Sequence, residues 1–318
     1  CTIPGNSTST PFPQLRLPCG LMAGPQWRAS REWRMVDWMM WLKSLLWDNP
    51  VARHAGRMSV RKGWQWGVLG ILAVAGVLGA LLQTYWMEMD AYSFLRPRMA
   101  TRWLGLTLIA QTAVALPWAA VRGALLWHRI VREHHLDEYR RSRMSAPAIA
   151  TGVVQAAMHP VLVLLVLSLC VSVVANLFGA ALEPRGVLTA HALLLTQSLF
   201  CAALGTWLAG RVRYPALAIP LAVAVLAAAT GAIWAIDPYY REMRDPTPWI
   251  YAALLPNPVT AVGSALNTDV LRFSWIYERI HAHEYFFVYP PAWQTGGLYL
   301  VLAGLCWAGI IRDVARAE

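Results

Sequence analysis

The segment 128–152, HRIVREHHLDEYRRSRMSAPAIATG, is a long, strongly charged stretch set directly between two apolar runs. A membrane-crossing helix needs about 20 apolar residues at a rise of 1.5 Å each. Residues 103–126 before the segment and 150–178 after it both meet that length. The segment therefore reads as a short basic hinge, helical over 129–147, joining two spans.

Outward from the hinge, further apolar windows fall at 64–86, 189–210, 214–236 and 293–311, which makes six spans in all. Composition agrees with this count. Of the 318 residues, 57% are hydrophobic and only 14% are charged, against about 25% charged in a soluble domain. A soluble chain of this size would expose too much apolar surface to stay dispersed. The expected fold class is all-α: a polytopic membrane protein of six transmembrane helices occupying 63–318.

The formal net charge of +10 invites a nucleic-acid reading, because basic side chains attract phosphate. The charges cluster beside the apolar runs, however, as topology determinants do, and no nucleic-acid partner is expected. With the N-terminus inside, Arg53 to Lys62, Arg129 to Arg143, Arg211, Arg213, Arg312 and Arg316 collect on the cytoplasmic side. The opposite side receives arginines diluted by Glu88, Asp90, Glu183, Asp237 and Glu242. Both termini are thus expected in the cytosol, in a bacterial inner (plasma) membrane.

Ahead of the spans, residues 1–25 are rich in Pro, Ser, Thr and Gly without helical periodicity and are expected to be disordered. Within 26–62, Trp27, Trp33, Trp38, Trp41 and Trp47 alternate with Arg28, Arg31, Arg34 and Lys43. Indole rings favour the headgroup level and adjacent cations reach lipid phosphates, so this part reads as an interfacial amphipathic helix. Asn49-Pro50 ends it, since the residue before proline is pushed out of the α region. A basic linker carrying Arg53, Arg57, Arg61 and Lys62 comes next.

The connection 237–292 is more than a loop. Val259, Val262, Leu266, Val270, Phe273, Ile276 and Ile280 recur every three or four residues, one face of a helix. Before it, 249–255 is too short to cross and is stopped by Pro256. Together these predict a re-entrant pair before the last span, and such backbone is tolerated only where protein or a water-filled cavity surrounds it.

Motifs that carry chemistry are scarce. A nucleotide-binding P-loop needs Gly-Lys-Ser/Thr, yet Lys43 and Lys62 both lack a preceding glycine, so ATP hydrolysis by that route is excluded for this chain. No HExxH, GxSxG or CxxC occurs, and no catalytic, cofactor or metal site is expected. Cys170, Cys201 and Cys306 read as small packing residues. His159 and His191 lie at different depths and do not suit paired axial ligation; His281, His283 and Glu284 form an HxHE cluster in a loop. Arg122 is near enough to a span end to snorkel to the interface. Gln111, Gln155, Asn176 and Gln197, with Thr196 and Ser198, are polar residues within spans. Interhelical hydrogen bonding is their ordinary role, and lining a path is the sharper one.

This arrangement resembles the permeases of ABC transporters of the type-2 export class. DNPVARHAGR before the first span is similar to that family's Asn-Pro-Val entry, and LLPNPVTAVGSAL to its outer Asn-Pro step. REHHLDEYRRSRMSAPAIATG looks like its coupling segment, with Leu136, Glu138, Ser145, Ile149 and Gly152 at the matching places. The match departs at His54, where an acidic residue is common, and at Val153, where a basic one is.

The resemblance implies a separate cytosolic ATP-binding subunit, holding the ATP and Mg, that grips the hinge through Arg132, Glu133, Asp137, Glu138, Arg140, Arg141 and Arg143. It implies a second permease chain, identical or related, beside this one in the lipid bilayer. Without the resemblance, the same features suit a non-catalytic anchor subunit of a respiratory or photosynthetic complex.

Overall fold

The computed structural model describes residues 49–60, 97–177, 183–212, 214–239, 242–243, 245, 247–267 and 289–316. The expected disordered lead-in, the interfacial helix, the first span at 64–86, the HxHE cluster and the stretch 268–288 lie outside the described residues. Among those described, the chain is helical: α1 (Pro50–Val60), α2 (Pro97–Arg132), α3 (His135–Arg141), α4 (Ala146–Leu177), α5 (Pro184–Arg211), α6 (Pro215–Ile236), α7 (Thr247–Leu254), α8 (Pro258–Ala265) and α9 (Ala292–Arg316). Proline opens α1, α2, α5, α6 and α8; its missing N–H costs nothing at a first helical position and its fixed φ suits the helix.

Five of these helices, α2, α4, α5, α6 and α9, are long and apolar enough to cross a membrane. They correspond to the last five predicted spans. The chain is a multi-pass membrane protein. Each of α2, α4 and α6 carries an internal proline, Pro117, Pro160 and Pro220. Packed neighbours let membrane helices tolerate the lost backbone hydrogen bond.

The bundle is built around α5, which packs against α2, α4, α6, α8 and α9. Between α2 and α5 the backbones nearly touch: a Cβ on Gly205 would lie 2.0 Å from the Ala120 carbonyl oxygen, and one on Gly123 would lie 2.3 Å from that of Ala202. Lipid tails are as apolar as leucine, so dispersion at close approach, rather than hydrophobic burial, holds such helices together. Ala119, Ala120, Ala202, Ala203 and Ala209 supply the same small surface. On α9, the Trp207 indole lies against Gly309 and Leu193 against Gly296, so α5 and α9 run in the same direction. Leu162, Val166 and Leu167 of α4, Leu217 and Leu221 of α6, and Val301 and Leu305 of α9 face outward, as hydrocarbon-facing side chains do.

Two expectations are corrected. The hinge 129–147 is not one helix: α2 continues to Arg132, the chain turns at His134 (φ 58°), α3 runs for seven residues, and it turns again at Arg143 (φ 57°) before α4. Left-handed conformations at residues with a Cβ end a helix sharply. The periodic stretch beginning at Val259 is also interrupted, because α8 ends at Ala265 and Asn267 adopts φ 52°, while its later part from Val270 lies outside the described residues. Asparagine is among the few side chains that visit this region readily, and the apolar period alone does not register it.

Candidate functional site: the hinge helix and its ties

The charged hinge folds so that one side of α3 is exposed and the other is fastened. Tyr139 is buried, and Leu136 and Met144 pack on the bundle core beside it. Arg132, Glu133, Asp137, Glu138, Arg141 and Arg143 are exposed. An acidic group thus lies toward the start of α3 and a basic one at its end, the arrangement that also complements the helix dipole.

The acidic side chains are organised by His135. Its Nδ1 lies 2.9 Å from Glu138 Oε2 and its Nε2 lies 3.1 Å from Glu133 Oε2. Glu133 also accepts from Arg129 Nε at 2.8 Å. That hydrogen bond, with the nearby positive charge, holds the Glu133 carboxyl below the usual carboxylate range. Asp137 lies 3.6 Å from His134 Nδ1.

Residues from elsewhere in the chain complete the site. His54 of α1 meets Tyr139, with Nδ1 2.6 Å from the phenolic oxygen. The His54 ring also packs edge-on against His135, at 4.9 Å between centroids. Burial and the adjacent Glu138 push the Tyr139 hydroxyl up to about 12, so it stays protonated and can donate to His54.

Farther along α1, at its start, Asn49 clasps that helix to α4. Its Oδ1 accepts from the amides of Val51 (3.0 Å) and Ala52 (3.4 Å), while its Nδ2 donates to the Ala148 carbonyl at 2.7 Å. Gly152 is required for this approach, since a Cβ there would lie 2.6 Å from both Asn49 Oδ1 and Val51 Cβ. The Asn-Pro-Val and Ala-Thr-Gly segments of the sequence thus meet directly. Asn49-Pro50 starts a helix, whatever precedes it: asparagine caps and proline takes the first position. That N-cap signal is legible in the sequence. The partners of His54 and Tyr139 are not, because neither residue belongs to a local pattern.

Arg140 departs from the expected docking set. It turns inward and donates through Nη2 to the carbonyl oxygen of Val314 in the last turn of α9. Nearby, Arg211 Nε of α5 pairs with Asp313 Oδ2 of α9 at 3.0 Å. Trp307 Nε1 of α9 donates to Thr151 Oγ1 of α4 at 3.1 Å.

The polar residues within spans divide into two groups. His191 is satisfied: Nδ1 donates to the Val187 carbonyl at 2.8 Å, leaving Nε2 to accept from Ser168 Oγ at 3.0 Å. Arg122 does not snorkel; it is buried between α2 and α4, with Nη2 3.5 Å from the Ala156 carbonyl. Gln197 is fully buried, yet neither its Oε1 nor its Nε2 has a partner among the described residues, and Gln111 Oε1, Ser198 Oγ and Thr295 Oγ1 share that condition. Leu104 and Leu108 of α2 cluster with Val187 and Ala190 of α5, while Ala120 and Gly123 meet Ala202 and Gly205. Gln111 and Gln197 fall between these two levels, and Thr295 adjoins the level of Leu193 through Gly296. Gln155 is half-buried on α4, and the side chain of Asn176 lies outside the described residues.

No family model matches this chain, and no curated protein or solved structure does either.

Proposed function

We propose that this chain is the membrane-spanning permease subunit of an ATP-driven exporter of the ABC type-2 class, sited in a bacterial inner membrane with α3 on the cytosolic side. The observation that carries the reading is the form of the hinge: a short charged helix, exposed on one face, bounded by turns at His134 and Arg143 and fastened to α1 and α9 on the other. A surface loop that only joined two spans would need no such ties.

In this reading a separate ATPase, carrying ATP and Mg, docks on Arg132, Glu133, Asp137, Glu138, Arg141 and Arg143. Its closure displaces α3 and the helices tied to it. Arg140 belongs to the ties and not to the dock. A second permease chain stands beside this one, and Gln111, Gln155, Asn176 and Gln197 line the path between them. The unsatisfied groups of Gln111 and Gln197 support a bundle closed over polar surface that opens to water during transport. A buried polar atom without a partner costs about 1–3 kcal/mol.

Purification of the tagged chain in mild detergent, with identification of co-purifying proteins and an ATP hydrolysis assay, tests this. The expected result is a partner bearing GxxxxGK[ST] that is lost when Glu133 and Glu138 are both changed to Lys. Co-purification with haem- or pigment-bearing subunits, without ATPase activity, would replace the permease by an anchor subunit.

A further inference from the structure

A left-handed residue stands at each end of α3, His134 with φ 58° and Arg143 with φ 57°, and backbone hydrogen bonds close both turns, such as His134 N–H to the Val131 carbonyl and Arg143 N–H to that of Arg140. The chain itself joins α3 to α2 and α4; side-chain ties join it to helices that the chain does not connect to it directly. Tyr139 reaches His54 of α1 at 2.6 Å. Arg140 reaches the Val314 carbonyl, one of the terminal helical carbonyls that have no acceptor role within α9 itself. A guanidinium is well suited there, because it satisfies that oxygen and complements the negative end of the helix. Val314 is 1% exposed, so water cannot readily substitute for the arginine.

We infer that Arg140 is a positioning residue that couples the last span to α3: the guanidinium-to-Val314 tie obliges the end of α9 to move with the hinge. This rests on the reading of α3 as an ATPase dock. Along its length α9 packs closely on α5 through Gly309 against Trp207 and Gly296 against Leu193. The same end of α9 is also tied by Asp313 to Arg211 of α5 and by Trp307 to Thr151 of α4, and of these ties the Arg140 contact is the one that reaches α3. Tyr299 Oη donates to the Pro256 carbonyl at 2.6 Å, so α9 is also joined to the turn between α7 and α8 toward its other end. A displacement at Arg140 thus has a continuous route from α3 to the far end of the bundle.

Two measurements on the full chain in nanodiscs test the coupling. In hydrogen exchange, Arg140→Gln should speed amide exchange over 308–314 by about tenfold, with 195–205 unchanged. Arg140→Lys, which keeps the charge and one donor, should recover part of the protection. Unchanged exchange over 308–314 in Arg140→Gln would overturn the inference.

The second measurement reads motion, which a merely structural role would not govern. Spin labels at Trp293→Cys and Leu188→Cys, both exposed at the far ends of α9 and α5, report their separation with the ATPase bound and trapped by ADP-vanadate. The wild-type chain should show a shift. Arg140→Gln should bind the ATPase with unchanged affinity and lose the shift. A shift equal to wild type in that variant would overturn the inference. If no ATPase binds even the wild-type chain, the docking reading fails, while the exchange result still decides whether Arg140 holds α9.

Discussion

The bundle contains two Asn-Pro-Val turns that do the same local work in different surroundings. Asn49 caps α1 through Val51 and Ala52 and donates to Ala148 of α4; Asn257 caps α8 through Val259 (2.9 Å) and Thr260 (3.2 Å) and donates to Thr230 of α6 at 3.0 Å. In each case one amide side chain starts a helix and fastens it to a second one. The near turn lies beside the exposed, charged α3. The far turn is enclosed by α2, α5, α6 and α9, and Asn257 is fully buried. The motif is thus a fastening, and its role is set by the surface it leaves exposed. Near α3 that surface is charged and exposed; at the far end the fastening seals the bundle.

Removing each clasp in turn probes the contrast. Asn257→Ala should have the larger effect, because it deletes a cap and also leaves buried backbone groups without partners. A loss of about 3 kcal/mol is expected. Asn49→Ala deletes a cap that is also buried, at 2% exposure, on a helix with exposed residues such as Arg53, and should cost about 2 kcal/mol. Thermal unfolding in detergent would measure both, and a loss well under about 1 kcal/mol for either would show that its amide is not a fastening.

A substitution between the two clasps works in the opposite sense. Gln197→Leu removes two buried polar atoms without partners and should raise stability by about 1–2 kcal/mol. If Gln197 lines a path, the change should also alter partner-stimulated ATP turnover. Raised stability with unaltered turnover would leave Gln197 as packing alone.

The smallest effect concerns pH at the near end. The Glu133 carboxyl is lowered in the folded chain, first by the hydrogen bond from Arg129. Its contribution is present above the ordinary carboxylate value and is lost as pH falls through the lowered one. Protection from hydrogen exchange over 129–141, taken relative to the intrinsic rate at each pH, should therefore fall on acidification below the usual carboxylate range. In Glu133→Gln that pH dependence should shrink, although the effect is small because the pair is solvent-exposed.

Hydropathy, span length and the position of the charged segment are legible in the sequence, since each depends on residues close together in the chain. Five spans come from it directly, as does the hinge between α2 and α4. The two breaks in that hinge are not legible: Arg143 does not announce a left-handed turn, and histidine, though it visits that region more readily than most, is masked at His134 by the surrounding helix-formers. Asn267 is readable in principle, but the apolar period running past it hides the break.

Tertiary packing, by contrast, selects the side chains that act across the bundle. Arg140 and Arg141 are neighbours of the same type, yet one is tied to Val314 and the other is exposed. Gln197 and His191 are both polar residues in one span, yet one lacks partners among the described residues and the other has two. Local pattern sets the helix and the number of faces it can present. The orientation of a given face depends on neighbours far away in the chain, as Asn49 to Ala148 and Arg140 to Val314 illustrate, and the sequence carries no local signal for such pairings.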